Sequence, residues 1–123
     1  LTDSFQIENG IQQPLDNFNL CKNTLLLQLD CRKYAEAAKL IEKGLEIFPA
    51  QALLYLLNGV AYNQLGKTAA AIESLESGLD FVLDDPQMEY DFYNQLNLAY
   101  TSTGDLKKAK INAEKASEIK MAN

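Results

Sequence analysis

Apolar residues recur at three- and four-residue spacing from about Asn17 to the end of the chain, and no segment alternates in the manner of a strand. Ala71, Ile72, Leu75, Gly78, Leu79 and Val82 make one stripe on a 3.6-residue helix. Ala37, Ala38, Ile41, Gly44 and Leu45 make another. The spacing and its breaks predict six helices: Asn17–Leu29, Tyr34–Ile47, Gln51–Leu65, Thr68 to about Leu83, Pro86–Ser102, and a last one capped by Asp105 and running to about Met121. Phe48-Pro49 stops the second, because proline lacks a backbone donor and restricts the residue before it. Gly66 and Gly104 stand where a helix C-terminus turns left-handed. Asp84-Asp85-Pro86 supplies an N-cap followed by proline at the first helical position. Residues 1–17 lack periodicity and are read as a leader or linker.

The chain repeats itself. Leu57-Asn58-Gly59-Val60-Ala61-Tyr62 returns, altered, as Leu96-Asn97-Leu98-Ala99-Tyr100, each copy running on to a glycine, Gly66 or Gly104. Five residues past each glycine stands a small residue, Ala71 or Ala109. Small residues in the stripes let two helix backbones approach closely, and short connections make neighbours antiparallel. A helix-turn-helix unit repeated at this period predicts a stacked all-α solenoid.

Composition narrows the function. The net charge is −6 and the pI about 4.5, so nothing draws the chain toward nucleic-acid phosphates or anionic lipid. The longest apolar run, Ala52 to Leu57, is far short of a membrane span. A soluble chain with no nucleic acid and no membrane insertion is expected. There is no His, and Cys21 and Cys31 lack zinc-site spacing, so no metal or other cofactor is expected. The commonest general base is thereby missing, and no nucleophile elbow, phosphate loop or dinucleotide fingerprint appears. An enzyme is not expected. Asp80, Asp84, Asp85, Glu89 and Asp91 read as a solvated rim with charges suited to a helix N-terminus. Lys107, Lys108, Lys110, Lys115 and Lys120 read as the solvent face of the last helix. With no initiator Met, the chain is read as part of something larger.

On these residues the chain resembles the tetratricopeptide repeat (TPR) family, whose unit is 34 residues. Starting at Ala52, Tyr55, Gly59, Tyr62, Gly66, Ala71, Leu75 and Gly78 take the family's places. Starting at Tyr90, Tyr93, Leu96, Tyr100, Gly104, Ala109, Ala113 and Ala116 do so again. Tyr34, Ala37, Ile41, Gly44 and Pro49 mark an earlier repeat, whose first helix departs from the pattern at Thr24 and Gln28. The resemblance implies a right-handed α-solenoid of three TPR-like repeats, 18–51, 52–85 and 90–123, with a four-residue insert at 86–89. The insert is close to one helical turn, so it should leave the packing face in place.

In the family, the first helices of successive repeats line a concave groove that holds a peptide or helix of a partner protein. Carried over, the groove has Asn19, Lys22, Leu26 and Leu29 from the first repeat, and Leu53, Leu56, Val60, Asn63 and Gln64 from the second. The third adds Asp91, Asn94, Gln95, Leu98, Thr101 and Ser102. Leu26, Leu56, Val60 and Leu98 would make an apolar floor, and Asn63, Asn94 and Gln95 an amide wall able to meet a peptide backbone. Packing of Leu53 and Leu56 into a neighbouring repeat is the competing expectation. The family's clamp for a partner's C-terminal carboxylate is not expected, because Lys22 matches one of its places but Leu26, Leu57, Asp91 and Gln95 occupy the others. The alternative to a groove is a structural segment of a longer solenoid, or self-association through exposed solenoid ends such as Ile111 and Ile119.

Overall fold

The computed structural model describes residues 34–122. The leader, the helix expected at Asn17–Leu29, both cysteines and the groove positions Asn19, Lys22, Leu26 and Leu29 lie outside the described residues. Five helices follow in order: α1 Tyr34–Ile47, α2 Ala52–Gln64, α3 Thr68–Leu79, α4 Pro86–Thr103 and α5 Leu106–Ala122. Each packs on the next, and α2 also packs on α4 across the intervening α3. Two hairpins, α2–α3 and α4–α5, are therefore stacked, with α1 packed against α2 before them.

The stripes do the packing. Ala37, Ala38, Ile41 and Gly44 of α1 are buried, as are Ala71, Ser74, Leu75 and Gly78 of α3. Phe92, Leu96, Ala99 and Tyr100 of α4 fill the main core beside Ala52, Leu56, Ala71, Leu75 and Ala109. A second cluster joins Ala37 and Ile41 to Leu54 and Leu57. Between them runs α2, with Ala52, Leu54, Leu56, Leu57, Asn58, Gly59 and Ala61 all buried, because α1, α3 and α4 surround it. At Gly78 an added Cβ would run into Tyr55 Cβ and the Phe92 ring, so only glycine lets α3 seat on both neighbours.

Both hairpin turns close alike. Gly66 (φ 77°) and Gly104 (φ 84°) are left-handed, a conformation that a Cβ disfavours. Lys67 N–H then donates to Tyr62 O at 2.9 Å, and Asp105 N–H to Tyr100 O at 3.0 Å. The acidic caps act as the sequence implies: the Asp85 carboxylate accepts from Met88 N–H and that of Asp105 from Lys108 N–H. Residues 86–89 form the opening turn of α4, which is 18 residues long against 13 in α2.

One helix is shorter than its stripe. The apolar periodicity carries α3 to Leu83, but the helix stops at Leu79. Tighter bonds follow, Phe81 N–H to Gly78 O and Val82 N–H to Leu79 O, and Asp84 takes a positive φ of 47°. Val82 still packs on the core from this turn. Asp84, left-handed, and Asp85-Pro86 then lead the chain into α4.

Candidate functional site: the face formed by α2 and α4

The two first helices lie side by side and are tied by one side chain. Asn63 Nδ2 donates to Gln95 O at 3.1 Å and to Gln95 Oε1 at 2.9 Å. These two amides therefore spend part of their hydrogen-bonding capacity on each other. Around them Val60, Asp91 and Asn94 are half-buried, and Gln64 and Thr101 are exposed. Leu98 is 52% exposed, a large apolar group held out beside amides. Thr101 Oγ1 bonds back to Asn97 O at 2.7 Å, and Asp91 Oδ1 accepts from Gln87 Nε2 at 3.1 Å.

Two expected groove positions, the floor residue Leu56 and its neighbour Leu53, pack into the core, as the competing expectation had it. Leu56 is 7% exposed and sits within the main cluster. Leu53 is half-buried and packs against both clusters. The cause is the crowding of α2 by three neighbours, which leaves it little free surface.

The face continues past the groove positions toward α5. Asn94 joins Tyr90, Lys120 and Met121 around a hollow of about 370 Å³ between α4 and α5, floored by Ala113 and Ala116. The lysines of α5 are also placed differently from the sequence reading. The Nζ atoms of Lys108, Lys115 and Lys120 stand over the rings of Tyr100, Tyr93 and Tyr90 at 5.4 to 5.5 Å, within cation–π range. They brace α4 against α5 as well as facing water.

The stack is also pinned by two equivalent tyrosines. Tyr62 Oη donates to Glu42 Oε2 of α1 at 2.5 Å, and Tyr100 Oη donates to Glu76 Oε2 of α3 at 2.5 Å. Short phenol–carboxylate bonds are of the charge-assisted kind. The bond to Glu42, then burial, pushes Tyr62 up to about 12, and burial, then the bond to Glu76, pushes Tyr100 up to about 12. Both phenols keep their protons and stay donors at neutral pH. Burial raises Tyr93 as well, with Glu89 adding to it. Among the described residues no group of three His, Cys, Asp or Glu could hold a metal ion, and no helix is long and apolar enough to cross a membrane.

Stacked helix-turn-helix units with their first helices side by side define an α-solenoid of the scaffold class. The tetratricopeptide repeat model matches residues 52–81 and 90–123, over half of the chain, and the chain belongs to the tetratricopeptide repeat family. Solved structures agree in fold. MamA of strain AMB-1 superposes with a TM-score of 0.77 at 24% identity, over 95% of this chain and 67% of that one. Residues 41 to the end of MamA from Desulfovibrio magneticus RS-1 give 0.78 at 21% identity, over 95% and 64%. The chain thus spans about two thirds of the length of these structures. No curated protein matches it significantly.

Proposed function

We propose that this chain is a protein-interaction scaffold whose α2–α4 face binds a peptide or helix of a partner protein. The observation that carries this reading is Leu98, half-exposed on α4 beside the half-buried Asn94 and Val60 and the Asn63–Gln95 amide pair. A half-exposed Leu offers apolar contact, and the amide groups flanking it can both donate to and accept from a peptide backbone. Gln64, Asp91 and Thr101 border the same face. Lys22 and Leu26 extend it if the first repeat stacks as its sequence register implies.

Photo-crosslinking tests the reading. A benzophenone amino acid at position 98 should trap a partner from lysate of the source cells, and the same group at position 107 on α5 should not. A folded Leu98→Glu, Asn94→Ala double variant should lose that partner in a pull-down. Equal capture from both positions, or capture unaffected by the double variant, would remove the groove from consideration. Self-association is the second reading, favoured by α5. There Ile111 is 41% and Met121 86% exposed around an open hollow of about 700 Å³. Light scattering at rising concentration tests it, and a constant monomer mass contradicts it.

A further inference from the structure

The opposite side of the stack carries a further, unassigned hollow. About 340 Å³ lies between α1, α2 and α3, lined by Glu42, Tyr55, Asn58, Tyr62, Glu73 and Ser74 among others, with no lysine or arginine in the lining. Glu42 and Glu73 are exposed carboxylates at its rim. Asn58 is 7% exposed at its floor, and its Oδ1 meets no hydrogen-bond donor. A buried amide oxygen without a donor is unfavourable, by more than the net gain of a typical hydrogen bond. The Asn amide torsion is soft, so that group can turn toward a guest.

The chain contains a worked example of what such a hollow accepts. Counted from the repeat starts Ala52 and Tyr90, and in register with Tyr62 and Tyr100, each position of the second repeat corresponds to the one 38 residues later in the third. Tyr55 and Tyr62 thus correspond to Tyr93 and Tyr100, and Glu42 to Glu76 one 34-residue unit on. At the later junction the ammonium groups of Lys115 and Lys108 lie over those tyrosine rings, each 5.5 Å from the centroid. At the earlier junction their places are taken by Ser77 and Ala70, which are too short to reach the rings. Two other exchanges raise the attraction for a cation. Glu73 stands where the later junction has Ile111, and Asn58 where it has Leu96.

We propose that the α1–α2–α3 hollow is a binding site for a primary alkylammonium, presented as the end of a lysine side chain of a partner protein. The tyrosine rings receive the charge, Glu42 and Glu73 balance it, and Asn58 Oδ1 takes one of its N–H groups. Both tyrosines contribute their rings alone, since the Tyr62 hydroxyl proton is given to Glu42 and that of Tyr55 to Pro49 O, and Tyr55 offers the ring face that is not stacked on Phe81. The site does not depend on the α2–α4 face and stands or falls apart from it.

The test is a ¹H–¹⁵N correlation titration of the full chain with three probes. They are acetyl-Gly-Lys-Gly-amide, n-pentylammonium chloride, and the norleucine analogue of the peptide, which keeps the alkyl chain without the charge. The lysine peptide and pentylammonium should shift the amide signals of Tyr55, Asn58, Tyr62 and Glu73, and norleucine should not. Glu73→Gln, an exposed change that leaves the fold alone, should weaken binding about two- to fivefold. Ala70→Lys with Ser77→Lys should abolish the response by filling the site from within. A response to pentylammonium alone would uphold the ammonium site and overturn its lysine source. Absence of any response, an equal response to norleucine, or a response unchanged in both variants would overturn the site.

Discussion

The two junctions of this solenoid are built on one plan and finished differently. At each, a tyrosine donates to a glutamate of the preceding helix at 2.5 Å, Tyr62 to Glu42 and Tyr100 to Glu76. A second tyrosine, Tyr55 or Tyr93, stands two turns earlier on the same helix. At the later junction α5 lays Lys108 and Lys115 across the two rings and Leu96 fills the floor. At the earlier one Ala70 and Ser77 leave the space open over Asn58. The backbone plan is thus set by small residues and the tyrosine–glutamate pair, whereas the solvent side is free to vary. One junction is closed by its own cations, and the other keeps the acceptors without them.

The floor residues offer the strongest way to break this comparison. Leu96 is 1% exposed, so Leu96→Asn should destabilise by about 3 kcal/mol, losing apolar burial and leaving an amide without partners. The reverse change, Asn58→Leu, should stabilise by about 1 kcal/mol by removing an unpaired oxygen. Urea unfolding of the two variants checks both, and a stabilised Leu96→Asn would mean that the floors are equivalent. Next comes Gly78→Ala, expected to lose about 1–3 kcal/mol because the new methyl meets Tyr55 Cβ and the Phe92 ring. Thermal unfolding should show a clear drop. Smaller still are the caps: Asp85→Ala and Asp105→Ala should each lose about 1 kcal/mol, the helices otherwise intact by circular dichroism.

Alkali sharpens the comparison from another side. The folded-state values of Tyr62 and Tyr100 are raised from 10.0 to about 12. A group held above its unfolded value contributes stability that is full below pH 10 and lost as pH rises toward 12. Stability should therefore fall between pH 10 and 12, and Tyr62→Phe or Tyr100→Phe should each flatten that fall. A slope unchanged in both variants would show that the phenol bonds do not survive in solution.

Much of this was legible in the residues. Gly66 and Gly104 mark both hairpin turns, Asp85-Pro86 marks the start of α4, and the alanine–glycine stripes mark the packed faces. Other features needed the third dimension. A helix enclosed by three neighbours is apolar on every side, so the pattern of α2 could not separate a groove floor from core, and Leu56 went to the core. The end of α3 was hidden because Val82 keeps the stripe from a turn. The lysine–tyrosine pairs were visible only as a solvent face, since their meeting depends on register between two antiparallel helices. Laying the second and third repeats side by side would have shown Ala70 and Ser77 exchanged for Lys108 and Lys115 over matching tyrosines.

The reciprocal exchange at the two junctions is the most direct measurement. Lys108→Ala with Lys115→Ser opens the later junction, and Ala70→Lys with Ser77→Lys closes the earlier one. Pentylammonium titrations followed by NMR should then show the response moving from Tyr55 and Tyr62 to Tyr93 and Tyr100 when both pairs are combined. A response that stays at the earlier junction, or never forms at the later one, would contradict the shared plan.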